Sequence, residues 1–120
     1  MMQGEKQRKT CWTANVAVCG AQGDVRSYKD CERMVDRCID TFGSLDILVN
    51  CAAGNFLAPA EQLTSNGFKT VMEIDALGTF NASRAAFKAL AESPDASIVN
   101  ISATLHYGAT WYQAHASAAK

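Results

Sequence analysis

A chain of 120 residues with 48% hydrophobic content is long enough for one core, and its composition is that of a globular domain rather than a disordered or fibrous one. Eleven Lys and Arg against twelve Asp and Glu leave a formal charge of -1, with the basic residues scattered. That balance argues against nucleic acid or an anionic membrane as a partner.

The longest apolar runs are four or five residues, as at Val16-Ala17-Val18-Cys19. They are far too short for a bilayer span or a signal-peptide core, so the chain reads as intracellular. The five cysteines, Cys11, Cys19, Cys31, Cys38 and Cys51, are odd in number, form no C-x-x-C pair and have no histidine at metal-ligand spacing. They read as reduced, mostly buried thiols, and no metal site is expected.

In chain order, Met1 to Thr13 carries Lys6, Arg8 and Lys9 without a sustained period and reads as a frayed arm; residues 1-14 are left unassigned. Asn15 to Val25 reads as a strand with glycines at 20 and 23, ending on Gly23-Asp24-Val25-Arg26. Ser27 can cap the next helix with Asp30 three residues on. Cys31, Met34, Val35, Cys38, Ile39 and Phe42 follow at helical spacing before Gly43 stops it. Leu45 to Val49 is a second strand, whose Ile47-Leu48-Val49 suits burial on both faces.

After Pro59, Thr64 or Ser65 starts a long helix carrying Phe68, Val71, Met72, Phe80, Ala85, Phe87 and Leu90 to about Glu92, where Ser93-Pro94-Asp95 breaks it. Ser97 to Ser102 is a third strand. A loop with His106, Tyr107, Gly108 and Trp111 then leads into an Ala-rich helical segment, Gln113 to Lys120. Trp12 and Trp111 read as packing anchors. Strands alternating with helices predict an α/β fold with a parallel sheet and flanking helices. Ligands of such sheets bind beyond the carboxyl ends of the strands, here Asp24-Val25-Arg26, Asn50 to Phe56, and Ser102 onward.

Three of these strand ends match one family in order: Gly23-Asp24-Val25, then Leu45 to Asn50 with Ala52-Ala53-Gly54, then Ile98 to Ser102 followed by Lys120. The chain resembles the short-chain dehydrogenases/reductases over residues 15-120. The resemblance implies the central part of a Rossmann-like domain, incomplete at both ends. Within the family, Asn50 to Leu57, Ile74-Asp75, Gly78 to Asn81 and Ile101 to Tyr107 resemble the peroxisomal 2,4-dienoyl-CoA reductases. Most of the family has a tyrosine four residues before the lysine and a serine about thirteen before that. Here Ala116 and Ala103 stand in those places, and Asp75 replaces a helix asparagine, departures that the dienoyl-CoA reductases share.

The resemblance implies hydride transfer from NADPH to a 2,4-dienoyl-CoA thioester, giving a 3-enoyl-CoA, by a homo-oligomeric peroxisomal enzyme of fatty acid degradation. Lys120 would bind the nicotinamide ribose and place a positive charge near the developing anion, and Asp75 would hold a water beside it for protonation. Asp24 would accept from the adenine amino group with Val25 against the ring. Asn50, Ala52, Ala53 and Gly54 would border the cofactor. Arg26 would suit a coenzyme A phosphate. Phe56 would line the acyl pocket, and Thr64, Ser65 and Asn66 would meet the thioester ligand at a helix start.

Plainer readings stand beside these. Asp24 can cap the next turn. Asn50 can tie loops without touching ligand. A mid-helix Asp75 must reach solvent or a partner, since a buried lone carboxylate is costly. Lys120 alone would be a solvated charge. His115 sits beside the tyrosine's usual place, about 100° away round the helix, and with His106 reads as structural.

The sequence shows no T-G-x-x-x-G-I-G loop and no later Pro-Gly loop, so weak dinucleotide affinity and exposed apolar surface are expected of this chain. An inactive truncated product or interaction remnant is one alternative. A 3-oxoacyl reductase is another, opposed by Ala116. The terminal Ala-Ala-Lys is not a peroxisomal signal, so the sequence alone points to the cytosol and the resemblance to the peroxisome.

Overall fold

Ser27 takes an extended conformation and accepts the Asp30 N–H through its side chain, opening helix α1 (Tyr28–Phe42); Gly43, at φ 88, closes it by donating its N–H to Ile39 O. Such a cap contributes about 1 kcal/mol, and a left-handed stop suits a residue without a Cβ. The Asp30 carboxylate accepts the N–H of Asp24 at 2.9 Å rather than that of Ser27. It thereby ties the helix start to the preceding turn. This computed structural model describes residues 16–108 and 110–120, with His106 by its backbone alone; the expected arm, Cys11, Trp12 and Asn15 lie outside the described residues.

Strand β1 (Ile47–Asn50) pairs in parallel with β2 (Ser97–Asn100), residue 47 opposite 97 through 50 opposite 100. Between them run α2 (Ser65–Met72), a π-helical turn (Glu73–Leu77) and α3 (Gly78–Ala91), and after β2 comes α4 (Ala114–Ala119). Thr64 caps α2 by accepting the Gly67 N–H at 3.0 Å. Helix α3 packs on α1 and on both strands, and α4 on α2. Cys31, Val71, Ala86, Leu90 and Ala116 form the buried apolar core. The predicted α/β pattern with a parallel sheet is therefore observed, as is the expected exposed apolar surface, with Ile47, Val49, Ile98 and Ile101 all about half exposed.

Five expectations need correction. Residues 16 to 24 form no strand: a strand needs a ladder partner, none is found among the described residues, and Gly20 and Gly23 add no side chains to pack. β1 is covered on one face only, Ile47 and Val49 being 59% and 54% exposed, because the helices pack on the side of Leu48 and Asn50. The long helix is interrupted by the π turn. Trp111 is 85% exposed on a loop that no described element covers, and of the described cysteines only Cys31 is buried.

Candidate active site

The two strands end side by side, and the Asn50 side chain closes the gap between them. Its amide donates to Asn100 Oδ1 at 2.8 Å and to Ser83 Oγ at 3.0 Å, pinning the strand register to α3. Both donors are spent, so the structural reading of Asn50 is the one this geometry carries. Beyond it Cys51, Ala52 and Ala53 are exposed, and their small side chains leave the strand end open.

Gly54 then meets the helices. Its N–H donates to Asp75 Oδ1 at 2.7 Å, and a Cβ there would lie 2.8 Å from Ile74 Cδ1, so the lack of a side chain permits the approach. Asp75 sits in the π turn, a rare widening of the helix that recurs at functional sites. Its other oxygen meets Lys120 Nζ at 2.8 Å, the two side chains being 2% and 15% exposed. The partner that a buried carboxylate requires is thus the lysine itself, in direct contact rather than through water. Beside the lysine, Ala116 is 1% exposed and offers no hydroxyl.

In the turn that precedes α1, Asp24 and Arg26 pair with one another. Arg26 Nη2 lies 2.6 Å from Asp24 Oδ2, Nε lies 3.0 Å from both oxygens, and the Arg26 N–H also donates to Oδ1. These bonds lower the Asp24 pKa from 3.8 to about 2 and raise that of Arg26. Two charges expected to meet separate ligands neutralise each other here. Asn81, buried on α3, donates to Val25 O at 2.9 Å and Arg26 O at 3.3 Å, and Gly78 leaves room for Val25, whose Cγ2 would stand 2.6 Å from an added Cβ. The helix that carries Asp75 therefore also holds the Asp24–Arg26 turn.

On the opposite side, Phe56 stacks on the fully buried ring of His115, centroids 4.4 Å apart, while His115 Nε2 lies 2.8 Å from Phe56 O. A Cβ on Gly67 would stand 2.9 Å from the Phe56 ring, so the first turn of α2 adjoins it. Thr64, Ser65 and Asn66 are exposed there, with the Thr64 oxygen already used as a cap. The structure thus gathers Gly54, Asp75 and Lys120 into one contact set. It places Asp24, Val25 and Arg26 in a second set and Phe56 with Thr64 to Asn66 in a third.

Asn81, which holds the second set, His115, which stacks in the third, and Ser83, which holds Asn50, escaped sequence reasoning in these roles. A polar Asn81 six residues after Asp75, beside the apolar Phe80, was the available signal for the first.

A protein-family model described as short chain dehydrogenase matches residues 2–120. A peroxisomal 2,4-dienoyl-CoA reductase ((3E)-enoyl-CoA-producing) of Arabidopsis thaliana is 55% identical over 113 residues, covering 88% of this chain and 38% of that protein. One of the same description from Danio rerio is 52% identical over 97 residues, covering 81% and 32%. The chain spans less than half the length of these relatives. Among solved structures, a short chain dehydrogenase from Bacillus anthracis superposes with a TM-score of 0.79 at 40% identity, covering 85% of this chain and 43% of that one. With its parallel strands, the small residues beyond β1 and the lysine brought to them on α4, the chain belongs to the short-chain dehydrogenase family.

Proposed function

We propose that the protein carries the catalytic centre of an NADPH-dependent 2,4-dienoyl-CoA reductase, forming a 3-enoyl-CoA in the degradation of unsaturated fatty acids. The observation that carries this reading is the buried Asp75–Lys120 pair beside Ala116. A reductase that protonates its product through a tyrosine would need a hydroxyl where Ala116 has a methyl group, which disfavours a 3-oxoacyl reductase. The relatives' names support the thioester substrate and the peroxisomal location.

The residues fit a dinucleotide laid past the carboxyl end of the sheet: the half-buried Asp24–Val25 turn for the adenine, the open Ala52-Ala53-Gly54 edge for its middle, and Lys120 for the nicotinamide ribose. When bound, that group supplies the hydride. Lys120, held by Asp75, keeps a positive charge where the dienolate forms, which stabilises the transition state without reorganisation. The pair then orders the water that gives up the proton, a role that requires the short hydrogen bonds such pairs make. Arg26 would leave Asp24 for a coenzyme A phosphate, and Phe56 with Thr64, Ser65 and Asn66 would meet the acyl thioester. Exposed Phe80 and Phe87 on α3 support a homo-oligomer.

The test exchanges residues 16–120 into the matching stretch of the Arabidopsis thaliana relative and follows NADPH oxidation. Turnover with a 2,4-dienoyl-CoA and none with a 3-oxoacyl-CoA is expected. A chimera that folds and binds NADPH yet leaves the dienoyl thioester untouched sinks the reading. Activity of the chimera with silence of the 120-residue chain would instead assign the chain alone to the inactive alternative.

A further inference from the structure

Two segments far apart in sequence, 55–58 and 112–115, are laced together by three hydrogen bonds. Asn55 Nδ2 donates to Gln113 Oε1 at 2.8 Å, His115 Nε2 to Phe56 O at 2.8 Å, and the Ala58 N–H to Tyr112 O at 3.0 Å. Tyr112 makes the last of these from φ 63, the one positive φ at a non-glycine among the described residues. That conformation costs free energy and persists only where surrounding contacts enforce it.

His115 is the centre of the lacing. It is 0% exposed, it stacks on the Phe56 ring, and since a carbonyl can only accept, its Nε2 must carry the proton. Its Nδ1 is then buried with no hydrogen-bond partner. A leucine would fill such a place without that penalty, so the ring's single donated bond is what distinguishes histidine here. Beside the two laced segments opens a cleft of about 820 Å³, lined by Ala58, Pro59 and Glu61 and, across the third bond, by Trp111, Tyr112 and Ala118. Ala58 and Tyr112, joined by the third bond, both line it, so the lacing sets the distance between the walls. The volume and the mainly apolar lining, with the Trp111 and Tyr112 rings, suit a flexible hydrocarbon chain.

We propose that His115 is a positioning residue that fixes the width of an acyl-chain cleft by clamping the Phe56 loop to the start of α4. The acyl occupant rests on the function proposed above; the clamp itself does not. His115→Phe keeps the stacked ring and removes the donated bond, and His115→Gln restores a donor near the Nε2 position without the ring.

In the 120-residue chain, hydrogen exchange at the Ala58 amide should be slowed, accelerated about fivefold to tenfold in His115→Phe, and largely slowed again in His115→Gln. In the chimera, His115→Phe should raise KM for a long-chain dienoyl-CoA about fivefold to tenfold, with a smaller rise for a short-chain one and no change in KM for NADPH. Gln113→Leu, which cuts the neighbouring bond at a less buried site, should move the same quantities about twofold and keeps the question open to test if His115→Phe does not fold. Unchanged exchange at Ala58 in both variants overturns the clamp. Equal KM rises for both chain lengths, or a parallel rise for NADPH, overturn its link to the acyl chain. A chimera with His115 intact that reduces no dienoyl-CoA counts against the proposed function, leaving the exchange result to decide the clamp.

Discussion

Of the four carboxylate–cation contacts among the described residues, the two shortest, 2.6 Å for Asp24–Arg26 and 2.8 Å for Asp75–Lys120, lie in opposite surroundings. The first joins residues two apart, with side chains 44% and 43% exposed, in a turn where water competes for every bond. Such pairs contribute little to stability. The second spans 45 residues, with side chains 2% and 15% exposed, and links a π turn to the end of α4. Removing one member of a buried pair costs about 3 to 5 kcal/mol, because the other is left uncompensated. Equal geometry therefore conceals unequal energy: the exposed contact can open for a ligand, and the buried one is part of the frame.

The buried pair should be asymmetric, and that supplies the largest effect. Lys120→Met strands a carboxylate that is 2% exposed, with only the Gly54 N–H left to it, and should cost about 3 kcal/mol in urea denaturation. Asp75→Asn keeps an acceptor for that N–H and leaves a lysine long enough to turn its ammonium to water, so it should cost about 1 to 2 kcal/mol. Both should abolish dienoyl-CoA reduction in the chimera. If Asp75→Asn proves the more costly, the lysine is the buried partner and the comparison is inverted.

Local signals made α1 legible in the sequence, through its Ser27 cap, apolar period and Gly43 stop, and the strand–helix alternation made the crossover between the two strands legible. The exposed pair was missed although its partners are neighbours, because Asp24 and Arg26 were each assigned to a ligand. The buried pair was legible only through the family resemblance, since nothing local marks Lys120 as the partner of Asp75. Long-range bonds failed to show for the same reason: Asn81 to Val25, Asn50 to Ser83 and His115 to Phe56 join residues 33 to 59 apart. The π turn was invisible because Glu73–Leu77 carries the same apolar spacing as an α-helix. The strand expected at 15–25 failed because strand propensity is fulfilled only against a neighbour.

The turn that bears the exposed pair is nonetheless held by α3, and Gly78 tests how firmly. Alanine inside a helix gains about 1 kcal/mol over glycine, but a Cβ at residue 78 would stand 2.6 Å from Val25 Cγ2 and 3.0 Å from its Cβ. Overpacking of that kind costs about 1 to 3 kcal/mol, so the clash wins and Gly78→Ala should destabilise by roughly 1 kcal/mol. KM for NADPH in the chimera should rise, as the Asp24–Arg26 turn is pushed outward. Gly20→Ala, where an added Cβ meets nothing within 4 Å, is the control and should leave both quantities unchanged.

The smallest effect belongs to the exposed pair itself, and pH isolates it. The folded-state pKa of Asp24, about 2, lies below its ordinary 3.8, so its contribution is fully present above about pH 4 and fades as pH falls through 2. Arg26 remains charged across that range, its own pKa being raised by Asp24, so the carboxylate alone sets the window. Arg26→Ala should therefore be slightly less stable than the parent near neutrality and indistinguishable from it at the acid end. Added salt should shrink the difference at every pH, since both side chains face solvent. Urea denaturation of both proteins at a series of pH values reads this directly. A difference that survives below pH 2, or ignores salt, would mean that Arg26 supports the turn by packing its stem rather than by pairing with Asp24.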